Sequence, residues 1–192
     1  MAEPTTRFRL IPNSTATTAV DTAAERLAAI SGESVISTGV GNEANFGTID
    51  ISAGAANSSV LTMLWDVTAD GGNTLVESFK LWMSSNGFDV AGSVCKLRPL
   101  SGADQTTPSN TANYVADATT ASYTFADMPE SEPGAQNVWP SDEGTSMALS
   151  TTSDDAIMWA MYLAIAAGET TGTYKGTDSG YELQFSFKYA YS

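Results

Sequence analysis

Three sets of carboxylates are the first residues to question for chemistry: Asp154-Asp155, Asp142-Glu143, and Glu130 with Glu132. Two carboxyls held at a fixed separation can act as general acid and base, as in glycoside hydrolysis. Adjacent residues on a strand point to opposite faces, however. All three sets also fall in segments that read as loops, where acids stay solvated. Asp66-Val67-Thr68-Ala69-Asp70-Gly71 sets two acids before a glycine turn, in the manner of a calcium loop. It lacks the far bidentate Glu and the regular alternation of ligands, so it is not an EF-hand. A rim cation site near Asp66 and Asp70 stays open as an alternative.

The chain has no His, which removes the commonest general base and the usual zinc and iron ligands. Cys95 is the single cysteine, so it forms neither an intrachain disulfide nor a thiolate metal site. Its neighbours, Val94-Cys95-Lys96-Leu97, read as strand, and the thiol reads as a small buried hydrophobe. No glycine-rich phosphate loop, nucleophile elbow or zinc motif occurs. The expectation is no catalytic residue, no cofactor, no metal and no enzyme. Trp65, Trp82, Trp139 and Trp159 could stack on sugars. Trp65 and Trp159 sit on apolar strand faces and read as core, whereas Trp82 points outward or to an interface and Trp139 lies in a loop.

The elements that would hold these residues are strands. From Tyr181 to Tyr191, every odd position is aromatic or Leu and the even ones are polar or Ala. That period of two puts Tyr181, Leu183, Phe185, Phe187, Tyr189 and Tyr191 on one face of a closing strand. At ~3.4 Å per residue such a strand runs to roughly 40 Å, so it crosses a whole sheet or completes a neighbouring subunit.

Upstream, residues 1–20 read as an extended arm carrying Pro4, Arg7, Arg9 and Pro12, with Arg7-Phe8-Arg9-Leu10-Ile11 able to join a sheet edge. Thr22 and Glu25 have capping-box spacing and Gly32 suits a helix end, which predicts one short helix over 22–32. Phe46–Ile51 alternates weakly. Val60–Val67 is a strong strand, and Ala69-Asp70-Gly71-Gly72-Asn73 supplies the turn of a hairpin whose return runs from Thr74 to Met83. In that return, Leu75, Glu77, Phe79, Leu81 and Met83 share one side. A strand over Val94–Leu97 stops at Pro99.

Residues 100–145 form a long loop region broken by Pro108, Pro129, Pro133 and Pro140, with Tyr123-Thr124-Phe125 its one strand-like piece. Loops of that length are functional or are ordered by a partner. Strands follow at Thr145–Leu149 and Asp155–Ile165, with a helix the alternative for the second. The fold class is all-β: a β-sandwich or jelly-roll domain over 21–192, an N-terminal arm over 1–20, one short helix and long loops.

Twenty-two acids against eight bases give a net charge of −14. Such a surface repels phosphate backbones and anionic lipid, so neither nucleic acid nor membrane is an expected partner. The first ten residues carry no apolar run, and the longest apolar stretch, Ala156–Ala167, is too short to span a bilayer. Synthesis in a cytoplasm without a signal peptide is expected.

The Arg7-to-Pro12 arm, the Ser/Thr/Ala-rich strands and the Gly172-Thr173-Tyr174…Tyr181–Ser192 ending together give the chain a pattern that resembles tailed-phage structural proteins. The resemblance is to capsid decoration (cement) proteins and related head or tail β-sandwich components. It implies a virion protein that binds a particle lattice, often as a trimer, and stabilises it by contact area. Its partners would be copies of itself and a major capsid or other virion protein. The arm and the closing strand would cross subunit boundaries by sheet-edge pairing. The expected interface residues are Arg7, Phe8, Arg9, Trp82, Trp139, Tyr189 and Tyr191. Two alternatives stand beside this: a self-assembling filament or surface-layer subunit, and a carbohydrate-binding or receptor-binding module using Trp82 or Trp139.

Overall fold

The computed structural model of the protein describes residues 2–11, 34–36, 44–100, 124–140, 144–149, 156–172 and 183–192. These residues form strands and no helix: β1 Thr5–Ile11, β2 Ser34–Ile36, β3 Ala56–Asn57, β4 Leu61–Ala69, β5 Leu75–Asn86, β6 Val94–Leu100, β7 Ala126–Asp127, β8 Ser146–Ala148, β9 Ala156–Ile165 and β10 Leu183–Tyr191. Strand pairing is antiparallel and divides them between two sheets. The larger runs β2-β1-β4-β9-β6-β7, with β3 also paired to β9; the smaller runs β10-β5-β8.

Alternation drives both sheets. In β4 and β9 the residues Leu61, Met63, Trp65, Ile157, Trp159, Met161 and Leu163 all turn into one core. Val76, Phe79, Leu81, Met83 and Met147 of the smaller sheet meet them there. Rings join the layers: Trp65 lies 5.8 Å from Phe79 and 5.1 Å from Phe187, and Phe187 stacks on Trp159 at 5.8 Å. Burying each such side chain contributes ~1.5–3 kcal/mol, so this aromatic seam dominates the packing. As expected, Trp65 and Trp159 are core, and 156–165 is strand. The opposite face of the larger sheet is also covered, since Leu64, Met158 and Ala160 are each at most 1% exposed.

Several expectations need correction. Residues 5–11 of the expected arm are β1, a strand of the chain's own larger sheet that pairs with β4 through Phe8↔Trp65 and Arg9↔Leu64. The remainder of the arm and the expected helix over 22–32 lie outside the described residues.

No hairpin joins β4 to β5. Both edges of β4 are taken, by β1 and β9, so the chain leaves the larger sheet at Asp70 and enters the smaller one. Gly71 and Gly72 make that corner with φ of 64° and 85°. A Cβ on Gly71 would sit 2.5 Å from the Ala2 carbonyl oxygen, so only glycine allows the N-terminal segment to pass. Asn73 Nδ2 donates to that same Ala2 oxygen at 2.6 Å and locks the crossing.

In β5 the inward set is Val76, Phe79, Leu81 and Met83, so Leu75 and Glu77 are not on the expected side. Ser78, with φ of 61°, marks a bulge that changes the phase of the strand.

Residues 46–51 are not a strand. Asn45 Oδ1 accepts from Gly47 N and Asp50 Oδ1 from Ser52 N, and these local bonds replace a ladder. Phe46, Ile49 and Ile51 nevertheless pack on the core.

Strand β6 continues through Pro99, which pairs with Trp159. Met128 N donates to Cys95 O, so odd-numbered main-chain groups of β6 face the β7 side. Pairing with β7 involves only Lys96 and Leu97, so at Pro99 the missing N–H forfeits no ladder bond.

Candidate functional site

The smaller sheet has one long strand, β10, at its border. It pairs with β5 from Leu183↔Asn86 to Tyr191↔Val76. Ser192 exchanges both main-chain bonds with Leu75, at 3.1 Å each. The antiparallel alternation then turns the even-numbered main-chain groups of β10 toward β5. The N–H and C=O groups of Leu183, Phe185, Phe187, Tyr189 and Tyr191 face the other way, where no strand of the described residues pairs with them.

The side chains of those same five residues form the strand's inner row. Leu183, Phe185, Phe187 and Tyr189 pack on the core yet stay only half-buried, and Tyr191 is 43% exposed. Their rings continue one another: Phe187–Tyr189 centroids are 6.3 Å apart and Tyr189–Tyr191 centroids 6.2 Å. Tyr189 Oη donates to Glu3 Oε1 at 3.3 Å. Burial, and then the Glu3 charge, push the Tyr189 phenol above its usual value.

On the outer face, Lys188 stands directly opposite Lys80. Like charges in that position repel, and Glu132 resolves the conflict. Its carboxylate accepts from Lys188 Nζ at 2.9 Å and from Lys80 Nζ at 3.2 Å. Lys188 first, and then Lys80, hold the Glu132 carboxyl below the usual carboxylate range. Glu132 belongs to the Pro-rich segment 128–140, which closes the other border of β5 beyond β8. Pro129 O accepts from Met83 N at 2.8 Å, and Asn137 N donates to Phe79 O at 3.2 Å. The Asn137 side chain imitates a strand residue, accepting from Leu81 N and donating to Leu81 O, both at 2.8 Å. Met128 and Val138 anchor the segment in the core. Among the described residues, the open border of the smaller sheet is therefore β10.

The residues singled out from sequence do not form one cluster. Tyr189 and Tyr191 lie on the open strand. Trp82 is on the outer face of the same sheet, next to β10 and opposite Ser186, half-buried. Trp139 is half-buried in the Pro-rich segment. Phe8 is turned inward, edge-on to Trp159 at 6.2 Å and to Phe187 at 5.6 Å. Arg7 and Arg9 converge on Asp66: Arg7 Nη2 donates to its carboxylate at 2.9 Å and Arg9 Nη2 at 3.3 Å. Arg9 is 3% exposed and Asp66 5%. With two guanidinium groups at its oxygens, Asp66 is an anion partner and not a cation ligand, while Asp70 Oδ1 accepts from Gly72 N in the corner. Glu130 accepts from Asn86 Nδ2 at 2.7 Å. Asp142, Glu143, Asp154 and Asp155 lie outside the described residues. Among the described residues, no three His, Cys, Asp or Glu side chains converge as a metal site, and no helix is long and apolar enough to cross a membrane.

Sequence reasoning missed two residues. Glu169, 5% exposed, accepts from Asp89 N, Val90 N and Ser93 Oγ at 2.7, 3.1 and 2.6 Å, and ties two loops at one end of the body. Asn137 is the other. Both partnerships cross about fifty or more sequence positions, and no local pattern announces them. Cys95 is buried as expected, and burial pushes its thiol up to about 12. No protein-family model matches the chain, and no curated protein matches it in sequence.

Proposed function

We propose that this chain is a non-enzymatic structural protein of a tailed-phage virion: a β-sandwich that binds a particle lattice as a capsid decoration protein. The observation that carries the reading is the open border of the smaller sheet, with nine residues of β10 and a half-exposed aromatic row beside them. A long unpaired edge is a template for another strand, and soluble monomers usually blunt theirs. Main-chain bonds along such an edge join copies of the chain, which then meet the lattice through other surfaces, and alternate side chains supply register and selectivity. Phe8 and Arg9 leave the expected contact set because their partners lie within the chain. Trp82, Tyr189 and Tyr191 remain in it, beside the open strand.

A head-to-tail filament is the weaker reading. It needs a second long edge to receive β10, and the described borders of the larger sheet are β2 and β7, of three and two residues.

Particles purified by density gradient from the culture that expresses the chain provide the test. The chain is expected to band with them at a fixed copy number per particle and to leave a less stable shell when stripped off. Its absence from purified particles would overturn the proposal.

A further inference from the structure

On the reading of the chain as an assembly protein, we propose that β10 pairs antiparallel with β10 of a second copy, about a two-fold axis at Phe187. Two smaller sheets then become one continuous sheet, ordered β8-β5-β10-β10-β5-β8.

Four observations converge on this occupant. The outward main-chain groups of the five odd-numbered residues are regularly spaced, because both irregularities of the β5–β10 pairing insert their extra residue on β5. The strand thus lacks the bulge that would protect it. Lysine is another common protection at an edge, but Lys188 is already held by Glu132.

The order Leu-Gln-Phe-Ser-Phe-Lys-Tyr-Ala-Tyr is nearly palindromic in character about Phe187. In the two-fold register Phe187 faces its own copy, Phe185 faces Tyr189 of the second copy, and Leu183 faces Tyr191. Every inner-row pair is then apolar or aromatic, the combination that stabilises adjacent strands. On the outer row Lys188 meets Ser186 and Gln184 meets Ala190, so no like charges oppose one another.

Charge selects the same surface. Two chains of net charge −14 repel, and β10 carries one lysine and no acid. Copies therefore approach most easily along this strand. A two-fold contact uses the same edge on both copies, so the assembly closes at two and does not grow into a fibre.

Cross-linking tests the register. Gln184 and Ala190 are exposed and lie on the outer row, so cysteine at either spares the core. They are six residues apart on one strand, roughly 20 Å, too far for an intrachain disulfide. In the two-fold register each faces the other's counterpart at a Cα separation of ~4.5–5.5 Å, inside disulfide range. The native Cys95 is buried and does not interfere.

Oxidation with a glutathione redox buffer is expected to give covalent dimers from the double variant Gln184→Cys/Ala190→Cys and none from either single variant. Light scattering on the unmodified protein is expected to give twice the 20.1 kDa chain mass. A mass of one chain at every concentration, open-ended growth, or equal cross-linking of the single variants would overturn the pairing. Failure here leaves particle association standing. Covalent dimers from a chain absent from particles would instead remove the virion reading and keep the pairing.

Discussion

Replacing Asn137 with Ala tests how the Pro-rich segment closes the smaller sheet. The Asn137 amide makes two bonds of 2.8 Å to the main chain of Leu81, which is 2% exposed. Alanine leaves a Leu81 N–H and C=O with no protein partner. Each orphaned group costs ~1–3 kcal/mol when buried. Asn137 itself is only partly buried, so water reaches the gap and the lower half of the range applies, a total of about 2–4 kcal/mol. With a urea slope of ~2–3 kcal/mol/M, the unfolding midpoint drops by ~1 M while the slope stays unchanged. Hydrogen exchange at the Leu81 amide should accelerate in step.

Asn137→Asp sharpens the test. At neutral pH one carboxylate oxygen still accepts from Leu81 N, but the other faces Leu81 O, so the loss matches or exceeds that of alanine. Protonation turns that oxygen into a donor and restores both bonds. The penalty of Asn137→Asp relative to wild type should therefore shrink as pH falls from neutral toward ~4, below which the unfolded aspartate is protonated too and no further gain follows. A midpoint shift under ~0.2 M for the alanine variant, or an acid-insensitive aspartate variant, would refute the assignment of Asn137 as a surrogate strand residue.

Other expectations follow from single sites. Glu169→Ala strands several donors, among them those of Asp89, Val90, Ser93 and Thr170; at about 3 kcal/mol it should lower the melting temperature by ~6–12 °C, with Glu169→Gln milder, as calorimetry would record. Ser78 adopts φ of 61° at the β5 bulge, so Ser78→Val should destabilise by ~1–3 kcal/mol while Ser78→Gly stays near neutral or gains, measured by urea midpoints. The Cys95 thiol, pushed from an ordinary 9.0 up to about 12 by burial, should resist alkylation until the protein unfolds. Because its folded value is the higher one, it contributes stability that is complete below pH 9 and is lost as pH rises toward 12. The stability advantage of wild type over Cys95→Ala should narrow through that window by up to ~1.4 kcal/mol per pH unit.

Periodicity made much of this molecule legible from its residues alone. A period of two along 61–67, 157–165 and 183–191 identifies strands and their buried faces, because side chains alternate across a pleated backbone whatever lies beyond it. The same rule placed Trp65 and Trp159 in the core and Phe185, Phe187 and Tyr189 on one face of the final strand. The lack of His and the single Cys are likewise matters of composition alone.

What periodicity does not carry is the identity of a strand's neighbour. The glycine corner at 70–73 suits a hairpin as well as a passage between sheets, and only the occupation of both β4 edges decides between them. One bulge at Ser78 reverses the phase of β5 before Phe79, which a strict alternation misreads. Arg7, Phe8 and Arg9 resemble an arm until β4 presents Asp66 and Trp65 beside them. Asn137 and Glu169 gain their roles from partners 56 and 80 positions away. Local sequence sets each strand's faces through backbone geometry, but pairing and edge exposure depend on contacts distant in sequence, and tertiary structure alone made β10 the open border among the described residues.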